Sequence, residues 1–130
     1  MTDAEFKAQK KRLEAIRCRW HNCLGLRWWT VTHNYERDAL VVHGEMTATT
    51  AASCSADWRY LQATVQWNLA LVADQTDQDL ERIFVHEMMH ILLDEMRYFH
   101  EEGGMNHEER VATTLAQAFL WTRDSGAKDK

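Results

Sequence analysis

The sequence predicts an α+β fold, and three observations point there. Apolar residues recur at helical spacing near both ends of the chain, and a long period-two stretch occupies its middle. The strand-like segments also come before the last two helix-like segments rather than alternating with them. Strands grouped ahead of helices make a small sheet covered by helices, not a wound parallel sheet. The 130 residues, 45% of them hydrophobic, suffice for one core and not for two, so residues 1–130 are expected to form a single domain.

The first 25 residues read as an N-terminal helix. Phe6, Leu13, Ile16 and Trp20 share helical spacing from Asp3 to about Asn22, and Gly25 punctuates the end. Lys7, Lys10, Lys11, Arg12, Arg17 and Arg19 make this segment basic, as a solvated helix face commonly is. Residues 26–72 read as a small, mostly antiparallel sheet. Leu26 to Tyr35 is rich in aromatic and β-branched residues, and Ala39 to His43 is a short second strand. Gly44 to Ala56 is small and polar, either a loop or a bulged strand. From Trp58 to Val72 the alternation is clearest. Leu61, Ala63, Val65, Trp67, Leu69 and Leu71 share one face, and Tyr60, Gln62, Thr64, Gln66 and Asn68 the other.

Residues 76–122 read as two helices. Thr76 or Asp77 opens the first, which runs to about Phe99 and is broken by Gly103-Gly104. The second is expected from about Asn106 to Thr122, with a frayed tail from Arg123 to Lys130.

The run His86-Glu87-Met88-Met89-His90 sits in the first of these helices. Residues four apart lie one turn above each other, so His86 and His90 can bind one metal ion together. Glu87 points toward the same pocket, slightly to one side, where a general base can deprotonate a metal-bound water. Around the motif, Leu80, Ile83, Phe84, Val85, Met88, Met89, Ile91, Leu92, Leu93 and Met96 cover most of the helix circumference. The polar stripe that remains carries His86, Glu87 and His90, with Asp94 one turn on. Ionisable groups on a buried helix need partners or a metal.

A zinc site of this kind takes a third protein ligand and keeps one open position. The last helix opens with His107-Glu108-Glu109, three candidates side by side. Val111, Ala112, Leu115, Ala118 and Phe119 define its apolar face, with Glu108 near the centre of that face and Glu109 at its edge. A Glu at the centre of an apolar face wants a metal or a partner, and geometry alone leaves Glu108, Glu109 and His107 open.

His86–His90 matches the HExxH signature of zinc peptidases, and the chain resembles a minimal zincin from about Trp58 to Leu120. Glu109 follows His90 as the third ligand of gluzincin peptidases follows their motif. The stretch Glu109-Arg110-Val111-Ala112-Thr113-Thr114-Leu115-Ala116 resembles the Glu-x-x-Ala-Asn-x-Phe-Ala signature of ImmA/IrrE-type metallopeptidases, with Thr113 where that family has Asn. His107 as third ligand would instead resemble the three-His SprT-like proteases. The resemblance implies a minimal zincin-like fold with an active-site helix and a third-ligand helix. It implies a Zn2+ cofactor held by His86, His90 and Glu109 (alternatively Glu108, then His107), with Glu87 as general base. It implies hydrolysis of a peptide bond in a protein or peptide substrate, laid as an added strand along Tyr60 to Leu71. A catalytically silent metal-binding module and an SprT-like DNA-associated protease are the alternatives.

His100 misses the metzincin spacing, and His21, His33 and His43 have no spacing partner. Any of these three, or Tyr98 or Tyr60, is a candidate for stabilising an oxyanion. Cys18, Cys23 and Cys54 form neither a CxxC nor a zinc-finger pattern, so reduced thiols and a cytoplasmic location are expected. The net charge of −5 argues against a nucleic-acid partner, and no apolar run is long enough for a bilayer.

Overall fold

The computed structural model describes the backbone of residues 1–98 and 102–128, and the side chains of residues 1–94 and 108–125. Its order is α1 (Asp3–Trp20), β1 (Thr30–Glu36), β2 (Leu40–Val42), β3 (Glu45–Thr47), β4 (Ala52–Asp57), β5 (Gln62–Asn68), α2 (Leu69–Ala73), α3 (Asp77–Tyr98) and α4 (Glu102–Lys128). The fold is α+β: an N-terminal helix, a small sheet, then two packed helices.

Helix α1 starts where its sequence says. The Thr2 hydroxyl accepts from the Glu5 N–H while the Glu5 carboxylate accepts from the Thr2 N–H, a reciprocal capping box. Leu13, Ile16 and Trp20 are its buried face. Helix α3 opens at Thr76, whose hydroxyl accepts from the Asp79 N–H at 3.1 Å.

The sheet is mixed, which corrects the mostly antiparallel expectation. Its order is β1-β5-β4; β5 pairs parallel with β1 (Val31 opposite Ala63) and antiparallel with β4 (Cys54 opposite Val65). A parallel pair needs a long connection, and the chain between β1 and β5 supplies it as the β2–β3 hairpin plus β4. In that hairpin His43 and Gly44 both have positive φ, 53° and 81°, as a two-residue loop of the primed type requires.

Three further expectations change. The period-two run stops at Asn68, whose side chain accepts from the Leu71 N–H and donates to the Asp38 carbonyl; Leu69 and Val72 are then buried from a helical turn. Gly44 to Ala56 contains two strands, β3 and β4. Gly103 and Gly104 lie inside α4, which continues to Lys128 rather than fraying at Arg123.

Helix α3 carries the core. Phe84 stacks on Trp67 of β5, with ring centroids 5.8 Å apart and planes within 6°. Met88, Met89 and Ile91 join Ala63, Val65, Leu13, Ile16 and Ala112 in one buried cluster. The Glu81 carboxylate, 6% exposed, ties three helices together. It accepts from Trp20 Nε1 and Arg19 of α1, each at 3.0 Å, and pairs with Arg123 of α4. Burial by itself pushes this carboxyl up, but the hydrogen bonds from Trp20, Arg123 and Arg19 outweigh it, and the net shift is downward. No helix among the described residues is long and apolar enough to cross a membrane.

Candidate metal centre

Helix α3 sets the positions of His86, Glu87 and His90, and α4 packs against it so that its first described side chains face them. The two imidazoles lie edge to face, with centroids 4.8 Å apart and planes at 78°. Their Nε2 atoms are 3.1 Å apart. The Glu109 carboxylate spans both: Oε1 is 2.7 Å from His86 Nε2 and Oε2 is 2.9 Å from His90 Nε2. Among the described residues these three form a group that can hold a metal ion. Two imidazole nitrogens and a carboxylate oxygen are a donor set that suits zinc.

The opposite edge of each imidazole is also engaged. Glu108 is 2% exposed, and its Oε1 is 2.9 Å from His90 Nδ1. A carboxylate there accepts the Nδ1–H, so the lone pair of His90 is left on Nε2, among the other donors. The Thr113 hydroxyl is 3.3 Å from His86 Nδ1. Burial lowers the pKa of His86; nearby Glu109 opposes this and His90 adds to it. The net effect favours the neutral imidazole, the form that binds metal.

The sequence left Glu108, Glu109 and His107 open as third ligand. Glu109 stands beside both Nε2 atoms and Glu108 behind His90. The side chain of His107 lies outside the described residues, as do those of Tyr98 and His100.

A cleft of about 620 Å³ opens over these groups. Its walls are Val41, Val42 and His43 of the hairpin, Thr50, residues 52–56 of β4, Gln66, and His86, Glu87, His90 and Glu109. Five consecutive β4 residues line it, which only the edge of a strand can do, since a strand face presents alternate residues. β4 has a sheet partner on one side only. This corrects the substrate-strand expectation: β5, which contains most of Tyr60 to Leu71, is the central strand, and both its edges are paired. Gln66 fixes the hairpin beside the cleft, donating to the Val41 carbonyl at 3.0 Å and accepting from the Val41 N–H at 3.4 Å.

The other candidates fall into place around this. His43 lines the cleft; no spacing marked it, because its hairpin turn is what carries it there. Tyr60 is 70% exposed and lies outside the cleft lining. His33 is half-buried and stacks with Trp67 and Phe84 at the edge of the core. Cys18 and Cys23 are exposed thiols, and Cys54 is half-buried on the cleft wall. Compared with models of known protein families, with curated proteins and with solved structures, the chain finds no match.

Proposed function

We propose that this protein is a metal-dependent peptidase that cuts an extended polypeptide laid along β4. The observation that carries this reading is the convergence of His86 Nε2, His90 Nε2 and both Glu109 oxygens on one point of the cleft wall. Glu87, the next residue on the helix, lines the same cleft.

His86, His90 and Glu109 would hold the ion, and Zn2+ suits two imidazoles and a carboxylate best. A bound ion of this kind acidifies water and polarises a carbonyl oxygen. Glu87 takes a proton from the attacking water and passes it to the leaving amine nitrogen. Glu108 and Thr113 orient the imidazoles. The free edge of β4 offers backbone N–H and C=O groups to an extended chain, and the hairpin bounds the opposite wall.

The test is Glu87→Gln, with metal content measured in parallel. Loss of the base should lower turnover by about 10²–10⁴-fold while metal and fold stay intact. A variant cutting peptides as fast as wild type contradicts the role of Glu87. A wild type that cuts nothing across a broad peptide library leaves a metal-binding module without catalysis.

A further inference from the structure

Beside the cleft lies a second, smaller hollow of about 270 Å³, lined by Ala51, Ala52, Arg82, Ile83, His86, Glu87, Thr113, Ala116 and Gln117. We infer that this hollow is a specificity pocket that takes an aliphatic side chain of a substrate residue flanking the bond to be cut. The inference rests on the peptidase reading and adds the substrate class to it.

Position comes first. The hollow shares His86 and Glu87 with the cleft. Those two side chains are the ones that face the reacting carbonyl and water. A side chain reaching the hollow therefore belongs to a residue next to that carbonyl.

Chemistry comes second. The space exists because Ala51, Ala52 and Ala116 end at Cβ, and Ile83 adds to the apolar wall. Arg82 donates to Asp79 at 3.1 Å, and the Thr113 hydroxyl faces His86 Nδ1. An acidic side chain would be desolvated among the alanines and Ile83 and would meet the like charge of Glu87. A lysine or arginine would pair with Glu87, the group required for proton transfer. A leucine, isoleucine, valine or methionine loses nothing on entry and covers apolar surface.

Extent comes third. Arg82 and Gln117 line this hollow and also a neighbouring one with Gln78, Trp121 and Asp124. A longer side chain would leave the apolar lining there.

The experiment uses the zinc-loaded full chain and a peptide library randomised on both sides of the cut. Wild type should enrich aliphatic residues at one flanking position. Gln117→Phe, an exposed position on α4, and Ala51→Leu should each narrow the pocket and shift that preference toward alanine and glycine by at least about tenfold, the scale set by single methylenes in such pockets. Ile83→Ala should widen it toward phenylalanine. Thermal unfolding of each variant separates a changed pocket from a lost fold. Binding of a leucine peptide and its aspartate counterpart to zinc-loaded Glu87→Gln, by calorimetry, gives a readout without turnover. Cleavage by wild type without aliphatic enrichment, or enrichment that none of the folded variants moves, overturns the pocket and leaves the peptidase standing. No cleavage at all overturns the peptidase. The calorimetry then decides the pocket: leucine binding weakened by Gln117→Phe upholds it, and equal binding of leucine and aspartate peptides overturns it.

Discussion

Two pairs of histidines sit in this molecule, and their surroundings could hardly differ more. His86 and His90 meet an oxygen on both edges: Glu109 at each Nε2, Thr113 and Glu108 at the two Nδ1 atoms. His33 stacks in one cluster with Trp67 and Phe84; its Nδ1 accepts from Trp67 Nε1 at 3.0 Å, and its buried Nε2 has no hydrogen-bond partner among the described residues. His21 Nδ1 nearby is likewise buried without one. Both regions put imidazoles among apolar side chains. The difference lies in the carboxylates within reach. Where acids converge, the ring nitrogens face carboxylate oxygens; at His33 burial, with the charges of Arg17 and His21, pushes the ring toward its neutral form, and its pKa falls to about 4 from 6.5.

The comparison can be broken from the core side first. Trp67→Ala removes the ring on which both His33 and Phe84 stack and opens a cavity in the core cluster. It should cost about 3–5 kcal/mol, measured by denaturant unfolding. A loss under about 1 kcal/mol would mean that the stack is not the centre of the core.

Acid comes next. The pKa of His33 is lowered by burial, and the charges of Arg17 and His21 lower it further. Below its unfolded value of 6.5 the unfolded chain takes up a proton that the folded one refuses. The stability present above pH 6.5 is therefore lost progressively as pH falls to about 4, by a total of about 3 kcal/mol. His33→Leu should flatten this part of the stability–pH curve. An unchanged slope between pH 6.5 and 4 would assign the acid sensitivity to other groups.

The smallest effects sharpen the metal side. Glu108→Gln keeps a group able to accept the His90 Nδ1–H but removes its charge. Metal affinity should fall about 10- to 100-fold, the usual cost of disturbing a ligand's outer partner. Thr113→Val should cost less, because its contact with His86 is longer and uncharged. If Thr113→Val cost more than Glu108→Gln, the ranking of the two supports would be reversed.

Much of this arrangement was legible in the sequence because it is local. The helical spacing of Leu13, Ile16 and Trp20, the opening of α3 at Thr76, the alternation through Ala63, Val65 and Trp67 and the one-turn spacing of His86 and His90 depend only on neighbours. Strand order and direction do not. Nothing near β5 says that its two partners run in opposite senses, so its central position was hidden and the edge was assigned to the wrong strand. Gly103 and Gly104 each disfavour a helix by about 1 kcal/mol, a penalty that packing of α4 on α3 can outweigh. The conflict between Glu108 and Glu109 was informative in itself. The apolar face pointed to Glu108, which is buried, and the motif register to Glu109, which stands beside both Nε2 atoms, so the two signals describe different residues.

The central claim is that one ion is held by His86, His90 and Glu109, and metal titration monitored by calorimetry tests it most directly. Wild type should bind one equivalent of zinc. His86→Ala and His90→Ala should abolish tight binding, and Glu109→Gln should weaken it far more than Glu108→Gln, because only Glu109 faces both Nε2 atoms. Binding should also weaken as pH falls, since protons compete for the imidazoles. Stoichiometric tight zinc in the His86→Ala/His90→Ala double variant, or a Glu109→Gln variant that binds as wild type does, would contradict the account.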